Sequence, residues 1–154
     1  MRRKERDCAD PSFFADLLHR AEVVTIAFQA EEFPYVVPFN FVYMNDALYV
    51  HCAREGRKLN CLNLASGVGF SVHEILGIDR EKATTRYKSI CGEGHAALVE
   101  DTEEKQAALA ALAHKYRSRC TLPVPDKMLE ATAVIKISIA TMSGKQNLPS
   151  PEAE

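Results

Sequence analysis

With 154 residues, 47% of them apolar and 26% charged, the chain has the size and composition of a globular protein with a buried core, which excludes a disordered chain or a fibrous repeat. Nineteen basic against twenty-one acidic side chains leave a formal charge of −2, so no broad positive field awaits a nucleic-acid backbone. No apolar run approaches the roughly 18 residues of a membrane span and the N-terminus lacks a secretory pattern, so a cytoplasmic protein with no nucleic-acid and no membrane partner is expected.

The basic run Arg2-Arg3-Lys4-Glu5-Arg6 reads as a solvated terminus. Asp10 before Pro11 has the form of an N-cap with proline at the first helical position. Phe13, Phe14, Leu17 and Leu18 then recur at helical spacing, which predicts a helix over Pro11 to Arg20. The next forty or so residues are rich in β-branched and aromatic types, with breaks at Glu31-Glu32-Phe33-Pro34 and Asn45-Asp46. They predict a three-stranded meander, Glu22–Ala30, Tyr35–Met44 and Ala47–Ala53.

After Gly56 the period changes. Leu59, Leu62, Leu64 and Ala65 fit a short helix ending near Ser66-Gly67, with the glycine as terminator. Val68–Ile75 alternates like a half-buried strand, Leu76–Thr84 reads as a polar loop, and Thr85–Glu100 as a long strand in which Gly92 and Gly94 mark bends or bulges. Asp101, with Glu104 three residues on, predicts a capping box for an alanine-rich helix running to about Arg117. Thr121–Pro125 is a turn-rich connection, Asp126–Ala131 one or two helical turns, and Ala133–Met142 a closing strand. Six twisted, mostly antiparallel strands with peripheral helices predict a mainly β (α+β) barrel. One domain over residues 1–145 and a frayed tail over 146–154 are expected. The five cysteines, Cys8, Cys52, Cys61, Cys91 and Cys120, are widely spaced and read as free thiols.

The segment His51-Cys52-Ala53-Arg54-Glu55-Gly56-Arg57-Lys58 is a strand feeding a glycine turn and then a helix N-terminus. Free N–H groups and the helix dipole converge at such a point and attract an anion. A guanidinium and an ammonium add charge, and the first grips phosphate through two hydrogen bonds. The bland reading of the same pair is solvated charge, yet cations at a helix start run against the dipole, which itself hints at an anionic ligand.

Those residues also carry a resemblance. His51-Cys52-Ala53 with Gly56-Arg57-Lys58, preceded by Pro34-Tyr35-Val36-Val37-Pro38-Phe39-Asn40-Phe41 and followed by Tyr87-Lys88-Ser89-Ile90-Cys91-Gly92-Glu93-Gly94 and Met142-Ser143-Gly144-Lys145, resembles the pyridoxamine-phosphate-oxidase-related split barrels. The likeness is strongest to their nitroimidazole-reductase (Nim) branch. It implies a six-stranded antiparallel Greek-key split β-barrel that forms a homodimer, with FMN in a groove between subunits. It further implies that Val37, Pro38, Phe39, Asn40 and Phe41 line the isoalloxazine ring, that His51, Cys52 and Ala53 follow the ribityl chain and ring edge, and that Arg57 and Lys58 hold the phosphate. Ser89 would donate to the phosphate or ribityl group, with Tyr87 and Ile90 also among the cofactor-binding residues. The chain has no tryptophan, leaving Tyr87, Phe70 or Tyr116 to lie over the ring.

The activity so implied is FMN-dependent reduction of a small acceptor such as a nitroaromatic compound, with His51 as catalytic proton donor, because histidine exchanges protons near neutral pH. The alternative is a module binding haem or another flavin for carriage, storage or sensing. No metal site is expected, since no His or Cys pair has ligand spacing. Adjacent strand residues point to opposite faces, so His51 and Cys52 should diverge rather than form a nucleophile pair.

Overall fold

The computed structural model describes residues 4–116 and 125–148. After a 3₁₀ turn at Lys4–Arg6 and a two-residue strand β1 (Asp7–Cys8) come α1 (Pro11–Arg20), β2 (Val23–Phe28), β3 (Tyr35–Met44), β4 (Ala47–Ala53) and α2 (Arg57–Leu64). The chain continues through β5 (Gly67–Asp79), β6 (Thr84–Leu98), α3 (Thr102–Lys115), α4 (Asp126–Ala131) and β7 (Thr132–Asn147). Arg2, Arg3, Cys120, the connection up to residue 124 and the tail from 149 lie outside the described residues.

All pairings are antiparallel. The order β7–β4–β3–β2–β5–β6 returns to β7 through a second ladder, closing a six-stranded barrel, and β1 is added beside β7 at Lys145 and Gly144. Alternation along each strand supplies the interior: Val24, Ile26 and Phe28 from β2, Leu48 and Val50 from β4, Val68, Phe70 and Val72 from β5, Ile135 and Ile137 from β7, all buried. The first helix adds Leu17 and Leu18, each fully buried and each worth roughly 1.5–3 kcal/mol of transfer free energy. It is capped by the Asp10 carboxylate accepting from the Ser12 N–H at 2.9 Å. Ala108, Leu109 and Leu112 of α3 pack on the outside of the barrel against Val42, Ala47, Tyr49 and Val134.

Several local expectations change. Leu76–Thr84 is not a loop: β5 and β6 continue as a hairpin arm past a bulge at Leu76, with Ile78 opposite Thr85 and Asp79 opposite Thr84. The Arg86 guanidinium, hydrogen-bonded to Asp79 and donating to the Leu148 carbonyl at 2.7 Å, ties that arm to the end of β7. The closing strand accordingly runs to Asn147, with Gln146 opposite Lys88. Gly67 is the first residue of β5 rather than a helix terminator, since α2 ends on the extended Ala65. Leu64 is exposed, and it is Cys61 that α2 buries. The bulge beside Gly94 is present, the register slipping past Ala140 of β7. At Gly92 a β-carbon would stand 2.3 Å from Phe70 Cζ, so the interior ring fills the space a side chain would need. The four described cysteines, Cys8, Cys52, Cys61 and Cys91, are free thiols.

Candidate functional site

The inner face of β4 carries Leu48, Val50 and Cys52 toward the core, and the outer face carries Tyr49, His51 and Ala53. His51 and Cys52 therefore diverge. Burial pushes the Cys52 thiol up, with the Lys58 charge opposing. The chain leaves β4 through Arg54-Glu55-Gly56. Gly56, at φ 122° and ψ 172°, adopts a conformation that side chains disfavour, and no side chain caps the helix that follows. Two cations flank this turn. The Arg57 guanidinium lies 4.6 Å from the centroid of the Tyr35 ring. Lys58 folds back so that its Nζ is 4.0 Å from where a Gly56 β-carbon would sit. A first helical turn without a side-chain cap, a glycine at its start and the charges of Arg57 and Lys58 give this turn, which also holds the Glu55 carboxylate, the donors of an anion cradle.

Beside the cradle the wall is split. β3 pairs with β2 from Tyr35 to Asn40, but with β4 only from Phe41 to Met44. β4 pairs with β7 along Ala47–Ala53, yet its ladder with β3 ends at Val50. The facing edges, Tyr35–Asn40 and His51–Ala53, thus have no ladder partner across the gap and present backbone N–H and C=O groups into it. Pro38, with no N–H, stands on this edge, where strand proline is tolerated. The fork is fixed by Tyr116, whose hydroxyl accepts from the Phe41 N–H at 2.9 Å and lies 2.6 Å from the Glu22 carbonyl and 3.0 Å from the Phe41 carbonyl.

This geometry divides the ring-lining set. Pro38 and Asn40 face outward and are exposed, whereas Val37 and Phe39 turn inward and Phe41 is fully buried with its side chain in the core. Val37, Phe39 and Phe41 can therefore meet a ligand in the split only through their backbone. On β6, Ile90 is likewise buried in the core, and Tyr87 and Ser89 stand half-buried on the outer face, Ser89 between His73 and Lys145. The ladder route from the cradle runs Tyr35–Phe28–Val68–Gly94 and then five residues back along β6 to Ser89. That is roughly 20 Å of unrolled wall at ordinary strand spacings. Along the ladders, Ser89 and the Arg57–Lys58 pair thus stand three strand steps and five residues apart. Of the three candidate cover rings, Phe70 is buried, the Tyr116 hydroxyl is held at the fork and Tyr87 stands half-buried on the outer face.

The sequence profile described as pyridoxamine 5′-phosphate oxidase matches residues 12–146, nearly the whole of the fold. The chain belongs to the pyridoxamine 5′-phosphate oxidase family. Comparison with curated proteins gives no match. Among solved structures, the chain is similar to a candidate 5-nitroimidazole antibiotic resistance protein from Bacteroides thetaiotaomicron. Identity is 27%, with a TM-score of 0.80 over 90% of this chain and 85% of that one. It shares its fold with a flavocytochrome from Azotobacter vinelandii (22% identity, TM-score 0.83, 100% of this chain and 75% of the other). It shares it also with an FAD- and haem-binding protein from Mycobacterium smegmatis (20% identity, TM-score 0.79, 94% and 76%).

In this member of the family, one contact of the site carries no signal in the linear sequence, and a cleft elsewhere on the wall carries a local one. Tyr35 supports Arg57 across more than twenty residues of chain, a contact that needs the β3 and β4 edges to be placed first. A cleft of about 600 Å³ on the outer wall, bounded by Phe28, Pro34, Glu93 and His95, has a floor of glycine and alanine. There the His95 Nδ1 lies 3.3 Å from the Ser66 hydroxyl. Glu93 and His95 lie one on each side of Gly94, and the alternation of β6 alone sets them on one face.

Proposed function

We propose that this chain is an FMN-dependent oxidoreductase, working as a homodimer, that reduces small acceptors of the nitroaromatic class. The observation that carries the reading is the split between β3 and β4 ending on the two-cation cradle at Gly56. A flavin mononucleotide needs an anion site, a run of backbone donors and acceptors beside it, and apolar walls, and the chain supplies these in that order. Arg57, Lys58 and the first turn of α2 hold the phosphate. The backbone edges of β3 and β4 meet the polar rim of the ring, and Pro38 with Val36 offers it an apolar face. The flavin, when bound, supplies the electrons. His51, exposed at the outer edge of the split, holds the proton that the reduced acceptor takes. The similarity to the candidate nitroimidazole resistance protein supports this acceptor class.

The homodimer is part of the same reading. One barrel leaves the split open on its outer side, and Tyr87 and Ser89 stand on the outer face three ladder steps from their own cradle. A second copy brings these residues to it.

The test is the absorption spectrum of freshly purified protein followed by FMN titration. Flavin bands, or reconstitution with FMN, are expected, and Arg57→Ala with Lys58→Ala should weaken FMN binding at least a hundredfold, since each charge-assisted hydrogen bond is worth roughly 1.5–3 kcal/mol. His51→Ala should keep the flavin and reduce a nitroimidazole more slowly. Unchanged FMN affinity in the double variant sinks the cradle, and a sharp Soret band in place of flavin bands turns the reading toward a haem module.

A further inference from the structure

Lys115, the last residue of α3, is set apart from the other lysines on the fold. Its Nζ stands 4.0 Å from the centroid of the buried Phe41 ring and donates to the Leu18 carbonyl at 3.5 Å. Lys88 and Lys136 pair with Asp16 and Glu104 at 3.3 and 2.8 Å, whereas among the described residues no carboxylate comes within ion-pair distance of Lys115. The amine lines a cleft of about 440 Å³ between the ends of α1 and α3, together with His19, Arg20, Glu22 and Tyr116.

None of these neighbours neutralises it. Arg20 is held by Asp16 and Glu74, the His19 ring packs edge-on to Tyr43 at 5.4 Å, and the Tyr116 hydroxyl is bound to backbone at the fork. Glu22 acts on it only at longer range. Burial pushes the Lys115 ammonium down to about 8, with Glu22 opposing. A half-buried amine against an aromatic wall, open to a cleft and without a counter-ion, is the setting in which lysine becomes a nucleophile.

We propose that Lys115 is a covalent modification site, the lysine of this chain that small acyl phosphates acylate first. In that step the neutral nitrogen attacks the acyl carbon and the N–C bond forms. The C–O bond to phosphate breaks with its electron pair leaving on phosphate, and the nitrogen's surplus proton passes to water. The product is a neutral amide, which removes the cation from the Phe41 ring and so loosens the attachment of α3 beside the fork. This inference does not depend on FMN binding.

Intact protein is treated with limiting acetyl phosphate across a pH series, digested, and the acetylation of each lysine-containing peptide followed by mass spectrometry, with exposed Lys127 as the internal reference and Lys115→Arg as the control. Lys115 is expected to acetylate several-fold faster than Lys127, with a rate that levels off above pH about 8. In Lys115→Arg no other lysine should take over the fast phase. Acetylation of Lys115 no faster than Lys127, or with a rate that keeps climbing well above pH 8, overturns the proposal.

Discussion

Tyr116 shows how a single hydroxyl stands in for missing strand. β2 begins at Val23, opposite Asn40, so Phe41 lies one position beyond the end of that ladder with its N–H and C=O directed at nothing in β2. The Tyr116 hydroxyl takes both and also meets the Glu22 carbonyl at 2.6 Å. Tyr116→Phe keeps the ring and deletes only the oxygen. Because Phe41 is fully buried, its N–H would be left without a partner or water, a loss worth about 1–3 kcal/mol. We expect the unfolding free energy to fall by that amount, read as a lower urea midpoint with an unchanged slope. An unshifted midpoint would show that the fork holds itself.

At the scale of elements, sequence pattern and structure agree where one local signal dominates. Tyr35–Met44 and Ala47–Ala53 match their predicted limits because Asn45 and Asp46, at φ 50° and 55°, make the two-residue turn that a tight hairpin demands. Pro11–Arg20 matches because its cap and its apolar stripe are both local. What was not legible depends on partners far along the chain. The arm beyond Ile75 looks polar, yet Arg86 and Asn147 stitch it to β7. The ring-lining stretch Val37–Phe41 reads as one motif, yet strand alternation sends half of it into the core.

The capping box of α3 was half legible. Asp101 does accept from the Glu104 N–H at 2.7 Å, but the Glu104 carboxylate, instead of turning back to the cap, accepts from the Tyr49 hydroxyl at 2.6 Å and from Lys136 at 2.8 Å. That clasp docks α3 on β4 and β7. Lys136 and Tyr49 hold the Glu104 carboxyl below its ordinary value of 4.5. A lowered carboxyl contributes stability above its unfolded value and loses it as pH falls through the folded one. The stability difference between wild type and Glu104→Gln should therefore be present at neutral pH, of order 1 kcal/mol or less for so solvent-exposed a pair, and close as the pH drops below about 4.5. Urea midpoints of both proteins across that range decide it; a gap that persists in acid would assign the clasp to packing alone.

The whole molecule leaves one face of its wall unusually apolar. Val36 is 54% exposed, Ile75 59% and Ile78 73%, and the registers of β3, β2, β5 and β6 set them on the outward side, with Tyr87 directly opposite Ile75. Ile75 and Ile78, exposed together on the β5–β6 arm, offer apolar area suited to a protein partner. The proposed occupant is a second copy, which sets its own Tyr87 and Ser89, both on this face, toward the cradle of the first. Ile75→Lys with Ile78→Lys replaces outward side chains that touch little of the core, so the barrel should fold with an unchanged circular-dichroism spectrum. Sedimentation should then report half the wild-type mass, and FMN affinity should fall along with it although Arg57 and Lys58 are intact. A double variant that still sediments as a dimer would move the contact elsewhere. A monomer that binds FMN as tightly as wild type would show that the split between β3 and β4 holds the cofactor without help, and would remove the second copy from the site while leaving the cradle in place.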